Sequence, residues 1–301
     1  MKKKYKVYQV DSFTKEKFTG NPAGVVSNAD GLTEVQMQKI ARELNNSETA
    51  FIFSSSNKEY DVHVRFFTPT NEVPICGHAT IAAHYVRALE NKFKDNIRVV
   101  QKTGAGILPV DIIYSHNDYK IVMTQGEVEV SEPLLKEYQD RLIEALGLNV
   151  NDIREDCPIA ISSTGHSKVM IGINDIEKLH SLKPDLSVLS KLSKDINCNG
   201  YYVFTLHPNE VALVHGRMFA PAIGIAEDPV TGNANGPLGA YLVHYGLVNV
   251  NISEFSFDAI QGEAINRAGK MRVKVEIKDE KPVKVQIVGE AVVTFSTEIE
   301  V

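Results

Sequence analysis

The sequence predicts an α+β fold made of two pseudo-symmetric half-domains, each a curved, mostly antiparallel sheet or barrel around a central helix. Three observations support this prediction: a long internal repeat, many short strand-like runs, and two helices that are apolar on nearly every face. With 301 residues, the chain is long enough for two halves of about 150 residues, each with a core of its own.

The repeat is carried by several motifs in the same order. Arg65–Pro69 (RFFTP) recurs as Arg217–Pro221 (RMFAP), 152 residues later (217 minus 65). Glu72–Ala79 then corresponds to Glu227–Ala234, and the glycines in these two segments are 155 residues apart (232 minus 77). Two upstream pairs keep the same order: Thr19–Val26 with Thr164–Ile171, and Asn46–Phe53 with Asn197–Phe204. We therefore predict two copies of one fold.

Strand-like runs are rich in β-branched and aromatic residues and are bounded by Gly, Pro, Asn or Asp. They are Lys6–Val10, Ala50–Phe53, Val62–Phe67, Ile107–Ile113, Lys168–Ile173, Tyr202–Leu206, Val211–Phe219 and Met271–Ile277. The helices that follow Gly77 and Gly232 have no polar face, which predicts that both are buried. Leu32–Asn45 and Glu132–Leu148 show amphipathic 3.6-residue periodicity, so we expect them to pack outside the sheets.

Composition excludes several classes of protein. A net charge of −6 and a pI near 5.9 argue against a nucleic-acid surface. No apolar run approaches the length of a membrane span, and the basic start at Met1–Lys4 is not followed by the apolar segment of a signal peptide. Three cysteines are too few for a disulfide framework. We expect a cytoplasmic protein with no nucleic-acid or membrane partner.

Glu48 is the first candidate for chemistry. It lies between a polar segment, 45–47, and the apolar run Ala50–Phe53, so its carboxylate enters partly buried surroundings that disfavour the charged form. A carboxylate in such a place can take a proton from carbon near neutral pH. The alternative is a glutamate at a strand edge or one that helps to cap a helix. Asn199 is its counterpart in the repeat, so only one half would supply the base.

His78 and Asp228 are the next candidates. His78 follows Gly77 at the start of a buried helix, where backbone N–H groups favour a neutral imidazole and can bind anions. Asp228 precedes Pro229 and the second buried helix. Each also has a structural interpretation, His78 as a hydrogen-bonded core histidine and Asp228 as a charge that complements a helix N-terminus.

Taken together, the motifs resemble those of the PhzF-like family of phenazine biosynthesis. The similar segments are Asp11–Phe13, Phe18–Val25, Ser47–Phe51, Arg65–Pro69, Cys76–Thr80, Glu227–Gly232 and Gln261–Glu263. The resemblance implies a diaminopimelate-epimerase-like fold with the active site in the cleft between the halves. It also implies an isomerase without metal, flavin or pyridoxal, often a homodimer, that moves a proton within a small carboxylate. The best understood member acts on a dihydro-hydroxyanthranilate.

The resemblance also implies site residues. Glu48, His78 and Asp228 would be catalytic. Substrate-binding candidates lie around two helix N-termini: Asn21, Ser47, Cys76, Gly77, Ala79, Thr231, Gly232, Asn233 and Ala234. Relatives commonly carry Ser where this chain has Asn233, which leaves the particular substrate open. With the last strand returning to the first half, the expected halves are 1–118 plus 289–301, and 119–288.

The same residues give little support to other chemistries. Two-cysteine racemases of this fold use one thiol from each half, but Cys76 corresponds to Thr231 (76 plus 155), so that mechanism is not expected. No metal-binding or phosphate-binding motif is present, and 104–106 predicts a hairpin turn. We expect no metal and no cofactor. A non-catalytic protein that binds small carboxylates, or another epimerase of this fold, remains the alternative.

Overall fold

The structure, a computed structural model, describes residues 3–207, 212–251 and 253–301. The chain forms two compact units, unit 1 (Met1–Thr124 and Val288–Val301) and unit 2 (Gln125–Ile287). Unit 1 extends beyond the expected limit at 118, because the strand Asp118–Thr124 pairs with the strand before it. The chain contains both helices and strands, with strands predominating, which confirms the predicted α+β class.

Unit 1 contains two helices and nine strands among its described residues. They are β1 (Lys4–Ser12), β2 (Asn21–Val26), α1 (Glu34–Leu44), β3 (Thr49–Ser54), β4 (Val62–Phe67), β5 (Glu72–Val73), α2 (Gly77–Asn91), β6 (Ile97–Thr103), β7 (Gly106–Ser115), β8 (Asp118–Thr124) and β18 (Ala291–Glu300). Its strands follow the order β18-β1-β2-β3-β4-β6-β7-β8. The β2–β3 and β4–β6 pairs are parallel and the others antiparallel, which confirms a mostly antiparallel sheet.

Helix α2 is the core of unit 1. Ten of its residues are buried, from His78 to Ala88, and the helix packs against β1, β2, β3, β7, β8 and β18. The outer helix α1 begins at a capping box: the Thr33 side chain accepts from Gln36 N, and the Gln36 side chain accepts from Thr33 N. Both helices therefore have the places predicted from their apolar patterns.

Unit 2 repeats this arrangement with two additional helices among its described residues. Its elements are β9 (Val128–Pro133), α3 (Lys136–Ala145), β10 (Ala160–Thr164), β11 (Lys168–Gly172), α4 (Ile176–Ser181), α5 (Leu186–Asp195), β12 (Tyr201–Leu206), β13 (Val214–Ala220), β14 (Ile225–Asp228), α6 (Gly232–His244), β15 (Glu254–Gln261), β16 (Gly269–Lys278) and β17 (Lys281–Gly289). The β11–β12 and β13–β15 pairs are parallel, matching β2–β3 and β4–β6. The buried helix α6 packs against β9, β10, β11, β15 and β16.

Strand register corrects one detail of the predicted repeat. Thr49 pairs with Phe67 in unit 1, and Tyr201 pairs with Phe219, the equivalent of Phe67, in unit 2. The residue before Tyr201 is Gly200, so the counterpart of Glu48 is Gly200 and not Asn199. The backbone agrees, because the carbonyls of Glu48 and Gly200 each accept from the preceding parallel strand, at 3.2 and 2.8 Å.

Two predicted elements begin several residues later in the structure than expected. The helix expected over Glu132–Leu148 begins only at Lys136, because Pro133 belongs to β9 and pairs with β10. The strand expected from Val211 begins at Val214, and Val211 lies outside the described residues. Within the described ranges, no helix has both the length and the apolar character that crossing a bilayer demands.

Candidate active site

Glu48 and His78 form the centre of the candidate site in unit 1. Glu48 Oε2 lies 3.4 Å from His78 Nε2, and the two side chains are only 17% and 8% exposed. Ser47 Oγ is 3.2 Å from the same ring nitrogen, although Ser47 itself is on the surface. The carboxylate and the imidazole are therefore close enough to share one proton, and little solvent surrounds them.

The backbone around both residues is fixed by local hydrogen bonds. Gln9 and Asn46 exchange two side-chain hydrogen bonds of 2.8 and 2.9 Å just before Glu48. The Ser12 hydroxyl donates to the His78 carbonyl at 2.8 Å, which ties the first turn of α2 to β1. One strand, β1, thus supports the backbone near both the base and the histidine.

His78 is held neutral by its surroundings. Burial lowers the pKa of this imidazole, and the opposing influences of the Glu48 carboxylate and of a hydrogen bond with the Pro22 backbone are smaller. A neutral imidazole has one N–H donor and one acceptor nitrogen. One ring N–H donates to the Pro22 carbonyl, which leaves the other ring nitrogen able to accept a hydrogen bond.

The N-terminus of α2 is open to an anion. Cys76 is the N-cap residue, its side chain makes no capping hydrogen bond, and the first turn carries no acidic residue. The amides of Gly77, His78 and Ala79 therefore have no intrahelical acceptor, and such groups bind carboxylates well. The Thr80 hydroxyl donates to the Cys76 carbonyl at 2.7 Å and holds this turn in place.

Asn21 is buried at the start of β2, where it pairs with Ser12. Gly20 precedes it with φ +63°, and a Cβ at this position would lie 2.3 Å from the Ser12 carbonyl oxygen. Only glycine fits this turn without strain. The Thr19–Asn21 motif therefore sets how β2 begins.

The same cluster has the chemistry of a metal site. One ligand atom each from Glu48, Cys76 and His78 lies within 4.8 Å of the others. Cys76 Sγ is 3.4 Å from His78 Nδ1 and 4.0 Å from Nε2. A carboxylate, a thiol and an imidazole at this spacing suit Zn²⁺ with an open fourth position. We expected no metal from the sequence. The three residues form no local motif, because Glu48 is far from Cys76 and His78 along the chain.

In unit 2, the N-terminus of α6 repeats that of α2 with one difference. Thr231 is the N-cap residue, as Cys76 is for α2, which confirms the predicted correspondence of the two positions. Here, however, the Thr231 hydroxyl accepts from Asn233 N at 3.2 Å. The capping hydroxyl occupies one of the amides that α2 leaves available. Gly232 begins the helix, and Ala234 is completely buried behind it.

Sequence reasoning missed a buried polar network below this helix start. Gln261 Oε1 accepts from Thr231 N at 3.2 Å and from Asn235 Nδ2 at 3.0 Å, while Gln261 Nε2 donates to the Asp228 carbonyl at 2.7 Å. The Tyr202 hydroxyl donates to Asn235 Oδ1 at 2.7 Å. The only signal in the sequence was Asn235 itself, a polar residue in an apolar helix.

The network places Asp228 and the start of α6 as one rigid piece. Asp228 is the last residue of β14, pairs with Met218 and has a half-buried side chain. A second amide, Gln125, donates to the Gly232 carbonyl at 2.9 Å. The predicted residues are thus gathered into two groups, with Asn21, Ser47, Glu48 and the start of α2 in unit 1, and Asp228 and the start of α6 in unit 2.

Two arginines at equivalent positions of the repeat support both groups. Arg217 makes a bidentate ion pair with Glu227 at 2.7 and 2.9 Å, and both side chains are nearly buried. Arg65 makes the equivalent pair with Glu72 in unit 1, in a more exposed setting. Each arginine connects the R-x-F strand to the segment that leads into the central helix.

Comparisons with known proteins agree with this arrangement. The family model for phenazine biosynthesis-like protein matches residues 10–297. An uncharacterized isomerase of Clostridium acetobutylicum is 62% identical over 300 residues, covering 99% of each chain. The trans-2,3-dihydro-3-hydroxyanthranilate isomerase of Pseudomonas fluorescens is 30% identical, covering 94% of this chain and 95% of the relative.

A solved structure gives the same answer for the fold. The Bacillus anthracis phenazine biosynthesis protein of the PhzF family is 32% identical, with a TM-score of 0.89, and the match covers 99% of this chain and 100% of the other. The resemblance inferred from the motifs is confirmed, as is the expectation of an isomerase. This chain therefore belongs to the phenazine biosynthesis-like (PhzC-PhzF) family of isomerases.

Proposed function

We propose that this isomerase shifts a proton within a small carboxylate-bearing metabolite by acid/base catalysis, without a cofactor. The observation that carries the proposal is the pair formed by Glu48 and His78, 3.4 Å apart and largely buried, beside the uncapped N-terminus of α2. A carboxylate base, a neutral imidazole and an anion-binding helix end are the parts that such a reaction needs.

The proposed steps conserve all atoms of the substrate. Amides at the start of α2, those of Gly77, His78 and Ala79, bind the substrate carboxylate. Glu48 removes a proton from a carbon next to a conjugated system, and the C–H electron pair moves into that system. The protonated Glu48 then donates a hydrogen bond to His78 Nε2. Return of the proton to a different carbon completes the isomerisation and regenerates the carboxylate.

Neutral His78 suits this role better than a charged one. An imidazolium would hold Glu48 as an ion pair and weaken it as a base, whereas a neutral ring accepts a hydrogen bond from Glu48 only after Glu48 has taken up the proton. Burial lowers the pKa of His78 and so favours the neutral form. A catalytic role for Asp228, which the family resemblance implies, is likewise proposed.

Isotope exchange tests the base. The wild type and Glu48→Gln are incubated in D₂O with trans-2,3-dihydro-3-hydroxyanthranilate, the substrate of the relative named above. Cyclic dienyl and amino-acid-like carboxylates are tested in the same way. Incorporation of deuterium into each compound is followed by NMR. We expect the variant to incorporate label about 10²–10⁴-fold more slowly. Glu90→Gln is a matched control, because Glu90 is a glutamate of the same unit that accepts a hydrogen bond from the Tyr8 hydroxyl outside the site. Wild-type exchange in Glu48→Gln would refute the assignment, and tight binding with no exchange by any variant would favour a non-catalytic binding protein.

A further inference from the structure

The thiol of Cys76 gives the candidate site in unit 1 a chemistry that proton transfer does not use. The proposed reaction needs the Glu48 carboxylate and the His78 imidazole, but it assigns no step to the buried sulfur beside them. One ligand atom from each of the three side chains lies within 4.8 Å of the others. The sulfur therefore adds a soft third donor to an acid/base pair, and such a mixed set is typical of Zn²⁺ sites.

The spacing of the donor atoms is close to that around a tetrahedral Zn²⁺ ion. Zn–N and Zn–O bonds of about 2.1 Å and a Zn–S bond of about 2.3 Å place the donors about 3.4–3.6 Å apart. Glu48 Oε2 and His78 Nε2 are 3.4 Å apart, and Cys76 Sγ is 4.0 Å from the same nitrogen. The oxygen and the nitrogen already have the required separation, and the sulfur needs to approach the ring by only about 0.4 Å.

The surroundings of the two helix residues also suit a metal site. A ring N–H of His78 donates to the Pro22 carbonyl. Histidines that bind a metal usually donate their other ring N–H to a carbonyl or a carboxylate, which fixes the tautomer and the ring orientation. The Ser12 hydroxyl donates to the His78 carbonyl at 2.8 Å, and the Thr80 hydroxyl donates to the Cys76 carbonyl at 2.7 Å. The first turn of α2 thus holds two ligands in place before a metal arrives.

Charge balance favours a dication in this shielded place. All three side chains are largely removed from solvent. On metal binding the Cys76 thiol loses its proton to solvent, so that the thiolate and the Glu48 carboxylate together carry two negative charges. These charges neutralise Zn²⁺, and the complex has no net charge to bury. Mg²⁺ and Ca²⁺ prefer oxygen ligands, so the sulfur and the imidazole should exclude them.

The repeat shows that the fold itself does not require these three side chains. Their counterparts in unit 2 are Gly200, Thr231 and Asn233, from the strand registers and from the two helix starts. Helix α6 therefore begins in the same way as α2 without a carboxylate, a thiol or an imidazole at these positions. A metal that binds the trio should accordingly bind once per chain, in unit 1.

We propose that Glu48, Cys76 and His78 bind one Zn²⁺ ion, and that the bound ion holds the isomerase inactive. The inhibitory part of this inference rests on the proposed function, because a Glu48 carboxylate that ligates Zn²⁺ cannot take a proton from carbon. The binding part depends on the three side chains alone. Removal of the ion returns the carboxylate and the imidazole to proton transfer, so the inhibition is reversible.

Cobalt binding tests the site without turnover. Co²⁺ occupies tetrahedral Zn²⁺ sites, and ligation by a thiolate gives it an intense charge-transfer absorption in the near ultraviolet. The reduced full chain is titrated with CoCl₂ and then with ZnCl₂. We expect the absorption to saturate at one Co²⁺ per chain, to disappear on addition of Zn²⁺ and to resist MgCl₂. Cys76→Ser should lose the absorption, and Glu48→Gln should bind Zn²⁺ at least about tenfold more weakly.

Cys157→Ser is the matched control, because Cys157 is an equally buried cysteine in unit 2, outside the trio. It should keep both the absorption and the stoichiometry. Circular dichroism establishes that each variant is folded, and the titration of the wild type decides the question even if Cys76→Ser is not. The binding proposal is overturned if the wild type gives no thiolate absorption, or if folded Cys76→Ser binds Zn²⁺ as tightly as the wild type.

Failure of the inhibitory part is separable from failure of the proposed function. Unchanged deuterium exchange by wild-type protein saturated with Zn²⁺ would overturn the inhibition, although Glu48→Gln would still exchange slowly. Failure of the proposed function would instead be seen as wild-type exchange in metal-free Glu48→Gln, and the cobalt absorption of the wild type would remain. We expect exchange to stop on saturation with Zn²⁺ and to return after a chelator removes the ion.

Discussion

Removing the side chain of Asn235 should destabilise the start of α6, and the free-energy cost should depend on the hydroxyl of Tyr202. Asn235 is fully buried and makes three side-chain hydrogen bonds, to the Thr231 carbonyl, to Gln261 and from Tyr202. At roughly 1 kcal/mol for each hydrogen bond, Asn235→Ala should cost about 3 kcal/mol. Part of that cost arises because the buried Tyr202 hydroxyl loses its hydrogen-bond acceptor, Asn235 Oδ1.

A double-mutant cycle isolates this part. Tyr202→Phe alone should cost about 1–2 kcal/mol, because Asn235 Oδ1 loses its donor. In the double variant no unpaired group remains, so the combined cost should be smaller than the sum by about 1–2 kcal/mol. Protection of α6 amides against hydrogen exchange measures these free energies for unit 2 itself.

Tyr201→Phe serves as the control for this cycle. The Tyr201 hydroxyl is also buried, but it donates to the Leu189 carbonyl and contacts Ser193, with no link to Asn235. Its cost should therefore add to that of Asn235→Ala within about 0.5 kcal/mol. If Tyr202→Phe and Asn235→Ala proved equally additive, the network would not act as one unit and our interpretation of it would be wrong.

Three other predictions concern unit 1. Micromolar Zn²⁺ should inhibit the isomerase by binding Glu48, Cys76 and His78, and a chelator should restore activity. Cys76→Ser should raise the inhibitory Zn²⁺ concentration by about tenfold. Equal inhibition of the wild type and the variant would exclude this site. Burial lowers the pKa of His84 to about 4. The unfolded chain, with its histidine near 6.5, then binds the proton first, so stability should fall by about 3 kcal/mol as pH drops from 6.5 to 4, and urea titrations should show a smaller loss in His84→Leu. Gly20→Ala should cost at least about 2 kcal/mol of unfolding free energy, since its Cβ meets the Ser12 carbonyl at a positive φ; a near-neutral effect would contradict the turn geometry.

Much of the fold follows from local sequence patterns. The two buried helices were predicted because they lack a polar face, and β4, Val62–Phe67, has the predicted bounds. Such features depend on residues a few positions apart. The motif repeat was equally visible, and it placed Cys76 and Thr231 at equivalent helix starts.

Features that depend on distant residues were harder to predict. Sequence similarity assigned Asn199 as the counterpart of Glu48 because it aligned side chains. The true counterpart, Gly200, is set by backbone pairing between strands. The Gln261–Asn235–Tyr202 network joins residues 26 to 33 positions apart. The burial of Lys168 could not be predicted from its strand-like segment, since the side chain packs on Gly200, the residue just before β12.

The presence of Glu48 in unit 1 and of Gly200 at the equivalent position of unit 2 has a stereochemical consequence. For an enzyme of the proposed kind, Glu48 both removes and returns the hydrogen, and its counterpart in unit 2 is Gly200, which carries no acidic side chain. The hydrogen should leave and re-enter on the same face, so a chirally deuterated substrate would give product labelled suprafacially.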